Sequence, residues 1–159
     1  MTQVNPYSYR MRSHYQALAP LFALLSGEVK FDEHLKRLPD LTTDVSRRRA
    51  VYIHVPFCTR SCTFCNLLRV QGSPPEDYHE LIIREIETYA SYPYVSEGVY
   101  DAIYFGGGTP TTLSASALNK ILRTLHSCLK LAPGAEITIE STVSDLTEDK
   151  ITVFKDNNV

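Results

Sequence analysis

Tyr52-Ile53-His54-Val55-Pro56-Phe57-Cys58-Thr59-Arg60-Ser61-Cys62-Thr63-Phe64-Cys65 is the stretch on which the reading of this 159-residue chain turns. Ala50 to Val55 reads as a strand, and the loop after it carries three of the chain's four cysteines, Cys58, Cys62 and Cys65, while Cys128 stands far away. Such crowding points to a metal in a reducing compartment rather than to a disulfide framework. The spacing is C-x3-C-x2-C. Three thiolates offered by the loop at the end of a strand can bind three of the four irons of a cubane cluster and leave the fourth for an exogenous ligand. Zinc is the competing metal, because His54 could join the three thiolates in a tetrahedral set. His54 lies on the strand only four residues before Cys58, Pro56 stiffens the path between them, and no second C-x2-C completes a zinc ribbon. The loop by itself therefore favours iron–sulfur without excluding zinc, and leaves His54 as a hydrogen-bond donor behind the ligands or a packed side chain.

Two further signals stand at the ends of later strands. Val99 to Phe105 reads as the second strand, and Phe105-Gly106-Gly107-Gly108-Thr109-Pro110-Thr111 brings three glycines to its end. Glycine removes the side chain where a ligand must meet backbone. The run is neither G-x-G-x-x-G nor a phosphate loop ending in Gly-Lys-Ser/Thr, so it does not support a nucleoside triphosphate site. A plain tight turn is the alternative, and it loses ground once cysteines and glycines fall at neighbouring strand ends of one sheet, where α/β folds bind ligands. Ile137 to Glu140 reads as the third strand, and Glu140 at its end can bridge ribose hydroxyls.

Between these strands the pattern is helical. A Ser-x-x-Glu box at Ser73 and Glu76 opens a helix with an apolar face of Tyr78, Leu81, Ile82, Ile86 and Tyr89. Ser114 starts another, with Leu118, Ile121, Leu122, Leu125 and Leu129 on its buried stripe, and Pro133-Gly134 separates it from the third strand. Cys128 sits beside that stripe and reads as a core thiol. A last helix takes Thr147 as N-cap, with Leu146 stapled against Ile151, and reaches Asp156 before Asn157-Asn158 end it.

The fold class is therefore α/β: a partial (βα) barrel of about three parallel strand-helix units over residues 50–159, preceded by a helical extension over residues 1–49. In that extension Met11 to Leu25 reads as a helix interrupted by Pro20, and Arg47, Arg48 and Arg49 read as a solvated strand entrance. A three-stranded parallel sheet normally needs both faces covered and its edges protected, so the chain is expected to be the N-terminal part of a larger barrel. Sixteen basic against eighteen acidic residues give a net charge of -2, with no general positive field for nucleic acid. Leu18 to Leu25, the longest strongly apolar stretch, is far short of the roughly 20 residues that span a bilayer, so no membrane partner is expected and the localisation reads as cytoplasmic.

Taken together, Tyr-x-His-x-Pro-Phe-Cys, C-x3-C-x2-C and Gly-Gly-Gly-Thr-Pro-Thr resemble the radical S-adenosylmethionine superfamily, in its oxygen-independent coproporphyrinogen oxidase-like branch, from about Ala50 to Val159. The Cys-Thr-Phe-Cys-Asn run and Leu-Ala-Pro-x-x-Glu-Ile-Thr-Ile-Glu bring it nearest to the haem-utilisation radical proteins of that branch. The resemblance implies that Cys58, Cys62 and Cys65 bind a [4Fe-4S] cluster whose fourth iron is chelated by S-adenosylmethionine. It implies nucleotide contacts at Tyr52, Gly107 and Glu140, and contacts to a second S-adenosylmethionine at Phe64, Gly108 and Thr109.

The implied substrate is haem or a porphyrin, and the implied partner an electron donor such as flavodoxin or ferredoxin. One electron would cleave the sulfonium to a 5'-deoxyadenosyl radical, leading in this reading to haem ring opening and methylation. No side chain is assigned as general acid or base. A haem chaperone and a coproporphyrinogen dehydrogenase belong to the same branch. The dehydrogenases typically carry a further cysteine where this chain has Leu67, which counts against that activity. Residues 1–159 alone are expected to hold a cluster without turning over.

Overall fold

A computed structural model describes residues 48–67 and 69–159; the helix expected at Met11–Leu25 and Arg47 lie outside the described residues. The elements are β1 (Ala50–Val55), β2 (Phe57–Cys58), β3 (Val70–Gln71), α1 (Tyr78–Ala90), α2 (Pro93–Ser96), β4 (Val99–Gly107), a 3-10 turn (Pro110–Thr112), α3 (Ala115–Cys128), β5 (Lys130–Ile139) and α4 (Glu148–Asp156). β1, β4 and β5 form one all-parallel sheet in the order β1-β4-β5, with Tyr52 opposite Tyr104 and Tyr104 opposite Thr138. Parallel neighbours require crossovers, and the helices between the strands supply them.

Strand alternation sorts the sheet into two faces. Ile53, Val55, Ile103, Phe105 and Ile137 point to one face, where they form a core with Ile82 and Ile86 of α1 and Leu118, Ile121, Leu122 and Leu125 of α3. Tyr52, His54, Tyr104 and Thr138 point to the other. The buried stripe expected for the helix after Ser114 is present. Ser114 is its N-cap, with its hydroxyl oxygen accepting the Ala117 N–H at 3.2 Å. Cys128 is half-buried against the same core.

Several boundaries differ from expectation. The helix expected to open at Ser73 begins at Tyr78 after Asp77, with no side-chain cap bond. Pro74 and Pro75 hold the residues before them out of the helical region, so the Ser73–Glu76 box cannot form. Leu81, expected on the buried face, is exposed. The third strand begins at Lys130, not Ile137, because Pro133-Gly134 marks an irregularity inside β5 rather than a boundary. The register shifts between Tyr100 and Ala102, and Gly134 adopts φ +78, the left-handed region open to glycine.

Thr147 is the N-cap of α4 as expected, but its hydroxyl bonds the Asp149 carboxylate instead of a backbone N–H. Arg49 is half-buried rather than solvated: its Nη1 donates to Tyr94 O at 2.7 Å and its guanidinium lies 4.5 Å from the Tyr94 ring centroid, fastening the entrance of β1 to α2.

Candidate cluster and nucleotide site

The cysteine loop leaves the sheet at the C-terminal end of β1, and its base is tied in two directions. β2 pairs in parallel with β3, Val70 N–H donating to Pro56 O at 2.8 Å and Gly72 N–H to Cys58 O at 2.9 Å. From the other side, Gly108 N–H donates to Val55 O at 2.8 Å and Thr109 N–H to Phe57 O at 2.7 Å. The glycine run thus prolongs the β1–β4 ladder onto the segment that leads into Cys58. A Cβ on Gly108 would lie 2.4 Å from Phe57 O and 2.7 Å from Pro56 C, a separation no side chain tolerates. Gly107 has φ +111, and a Cβ there would lie 2.7 Å from the His54 ring. Close approach of backbone to backbone is therefore one physical requirement behind these glycines.

Within the loop, Gln71 braces the chain from β3. Its Nε2 donates to Thr59 O at 3.1 Å, and its Oε1 accepts from Ser61 Oγ at 2.7 Å. Cys65 N–H closes a turn on Cys62 O at 3.2 Å. Cys58 is buried with its Sγ 3.6 Å from Thr109 Oγ1, Cys62 is exposed and Cys65 half-buried; all three are free thiols. Among the described residues no group of three or more His, Cys, Asp or Glu side chains is gathered closely enough to hold a metal ion, so the three thiols share a loop rather than a common centre. The donor chemistry still suits an iron–sulfur cluster: three reduced thiols from one loop at a parallel strand end, the first of them held in place by backbone ladders.

The second half of the site is the open face of the sheet. Tyr52 and Tyr104 stack with centroids 6.1 Å apart at 18°, and Tyr104 OH donates to Glu140 Oε1 at 2.6 Å. Glu140 follows β5, its N–H donating to Phe105 O at 3.0 Å, which carries the strand one residue onward beside Gly106. Tyr52 OH lies 3.2 Å from His54 Nδ1. The hydrogen bond to Glu140 raises the Tyr104 pKa above the usual tyrosine value, with its small desolvation and the nearby charge acting in the same direction.

Tyr52, Glu140 and the glycine run therefore stand at one end of the sheet. Phe64 is 88% exposed in the loop. Tyr104 and Gln71 were not singled out in the sequence. Period-two alternation puts Tyr104 on the face opposite Ile103 and Phe105, but only the β1–β4 register sets it beside Tyr52, and nothing local marks Gln71.

A parallel sheet flanked by crossover helices, with a thiol loop and a glycine run at adjoining strand ends, defines a (βα)-barrel type of cofactor protein. Residues 52–159 match the model of the radical SAM superfamily, and the chain belongs to that family. It is 43% identical over 107 residues to anaerobilin synthase of Escherichia coli O157:H7, covering 66% of this chain and 24% of that protein. It is 32% identical over 117 residues to the heme chaperone HemW of Lactococcus lactis, covering 72% of this chain and 29% of that protein.

Among solved structures, coproporphyrinogen III oxidase (HemN) from Escherichia coli, described as a radical SAM enzyme, superposes with a TM-score of 0.63 at 23% identity. That match covers 83% of this chain and 29% of the HemN chain, and it supports the partial barrel of parallel strands. The chain spans about a quarter to three tenths of the length of these relatives. Among the described residues no helix is long and apolar enough to cross a membrane.

Proposed function

We propose that the protein is a radical S-adenosylmethionine enzyme acting on a tetrapyrrole, with anaerobic haem ring opening and methylation as the reaction. Membership of the radical SAM superfamily implies a [4Fe-4S] cluster and S-adenosylmethionine. Cys58, Cys62 and Cys65 are the proposed cluster ligands, Tyr52, Gly107 and Glu140 the contacts to the first nucleotide, and Phe64, Gly108 and Thr109 the contacts to a second. The observation that carries the reading is the junction in which Gly108 and Thr109 grip the backbone from Val55 to Phe57 and so fix the entry to Cys58, at the strand ends where Glu140 N–H also meets Phe105 O. When bound, the cluster supplies one electron to the sulfonium of the nucleotide and so starts radical chemistry.

The residues of this chain do the remainder. The ladder from β4 holds Cys58, the Tyr52 ring offers a flat apolar wall, and Glu140 presents a carboxylate to ribose hydroxyls. The tetrapyrrole substrate is proposed from the relatives named above, and the 43% identity to anaerobilin synthase is what supports haem opening as the proposed reaction. A haem-chaperone reading is kept because HemW matches a slightly longer stretch of this chain. An external donor of the flavodoxin or ferredoxin kind is the proposed electron source, and residues 1–159 alone are proposed to hold a cluster without turning over.

Anaerobic reconstitution tests the first step. A brown protein with about four irons per chain is expected, and the content falls sharply in Cys58→Ala, Cys62→Ala and Cys65→Ala. A colourless protein carrying one zinc, or iron content indifferent to all three substitutions, overturns the proposal. For a chain carrying the rest of the barrel, incubation with haem, dithionite and S-adenosylmethionine separates the readings. Formation of 5'-deoxyadenosine with loss of the Soret band supports the enzyme; stable haem binding without turnover supports the chaperone.

A further inference from the structure

The contact between Cys58 and Thr109 joins residues from two separate motifs, and both side chains are buried, at 8% and 7% exposure. Their separation is fixed by backbone rather than by flexible side chains. Thr109 N–H is bonded to Phe57 O, one residue before Cys58, and Gly108 N–H to Val55 O, so donor and acceptor segments are stitched together at two successive points. Thr109 O accepts the Thr112 N–H at 2.9 Å and Pro110 follows directly, which stiffens the far side as well. With a free thiol either atom could donate across the 3.6 Å gap. A metal-ligating cysteine is a thiolate without a proton, and then only the threonine hydroxyl can donate.

We propose that Thr109 Oγ1 donates a hydrogen bond to Cys58 Sγ in the cluster-bound protein and thereby raises the reduction potential of that cluster. The inference rests on the cluster reading above. Reduction adds negative charge to the sulfurs, so a donor aimed at one of them stabilises the reduced form more than the oxidised form. Burial strengthens the effect, because the low local dielectric around Cys58 and Thr109 leaves the charge little competing solvent. Cys62 is exposed and Cys65 half-buried, so water can serve those two sulfurs and the protein's own control is concentrated on the first. The role is one of tuning: Thr109 ligates no iron and acts on the cluster through Cys58.

The test is a redox titration of the reconstituted protein followed by electron paramagnetic resonance without S-adenosylmethionine, so that no nucleotide contact of Thr109 enters the result. In Thr109→Val, nearly the same shape without the hydroxyl, the ratio of reduced to oxidised cluster at a fixed potential should fall about twofold to tenfold, a midpoint lower by about 18 to 59 mV. Thr109→Ser keeps the donor and should stay close to wild type. An unchanged midpoint in Thr109→Val, or equal shifts in the Val and Ser variants, overturns the inference. If Thr109→Val loses its iron while Thr109→Ser retains it, the hydroxyl contact is supported; if both lose it, the residue acts through packing and the inference fails. A wild-type protein that takes up no iron overturns the cluster reading itself, and this inference with it.

Discussion

On the helix-covered face of the sheet, Val55, Ile103 and Phe105 are at or below 1% exposure, while across the same strands Tyr52 and Tyr104 keep 56% and 39% of their surface open. The covered face is held by apolar area removed from water, a force without direction that tolerates exchange of one hydrophobe for another of similar volume. The open face is shaped by directed contacts, a tyrosine hydroxyl on a carboxylate and stacked rings, and at the strand ends the backbone amides of Gly108 and Thr109 reach across to Val55 and Phe57. Stability and site geometry therefore reside on opposite sides of three strands. A substitution on one side should reveal itself in a different measurement from a substitution on the other.

The largest effect is expected on the covered face. Phe105→Ala removes a fully buried ring from the middle strand and should cost about 3–5 kcal/mol, read as a lower denaturation midpoint. If the protein loses less than about 1 kcal/mol, far below the usual range for such a truncation, the covered face is not the source of stability and the contrast between the faces dissolves. Gly108→Ala comes next, and it discriminates more finely. Its Cβ would intrude on Phe57 O, so the strand end or the Cys58 segment must move, at a cost of about 1–3 kcal/mol. The distinguishing result is a disproportionate fall in iron uptake, because the displaced backbone is the one that delivers Cys58. A variant destabilised to that extent with iron uptake intact would show that the junction serves the fold alone.

The same contrast explains what could be read in advance. β1 was expected at Ala50–Val55 and lies there, and α3 was placed from Ser114 onward, because alternation and a capping hydroxyl are local signals written into a few consecutive residues. β2 and β3 are not legible in the sequence, since two-residue strands are too short to show a period. On composition Pro133-Gly134 reads as a boundary, whereas pairing of Lys130 and Leu131 with Val99 and Tyr100 carries the strand across the irregularity. On the site side, the cysteine spacing and the glycine run were conspicuous, but the Cys58–Thr109 contact spans 51 positions and the Tyr104–Glu140 bond 36. Such contacts depend on strand order and register, which no single segment encodes.

The smallest effect concerns that last bond and sharpens the comparison at the level of one proton. Because Tyr104 OH donates to Glu140 Oε1, the neutral phenol is favoured in the folded protein and its pKa lies above the ordinary tyrosine value of 10.0. A raised folded pKa means that the contribution is fully present below the unfolded value and is lost as the pH rises through the folded one. Tyr78 and Tyr100 are also raised, in their case chiefly by burial against the covered face, so total phenolate absorbance cannot isolate Tyr104. The difference between wild type and Tyr104→Phe should show one tyrosine ionising late, and the same subtraction in a Glu140→Ala background should return it toward the ordinary range. Removing Glu140 should leave the late ionisation of Tyr78 and Tyr100 in place, since desolvation there does not depend on that carboxylate. Should the Tyr104 difference curve be indifferent to Glu140, the directed bond does not organise the open face, and stacking on Tyr52 must set its geometry.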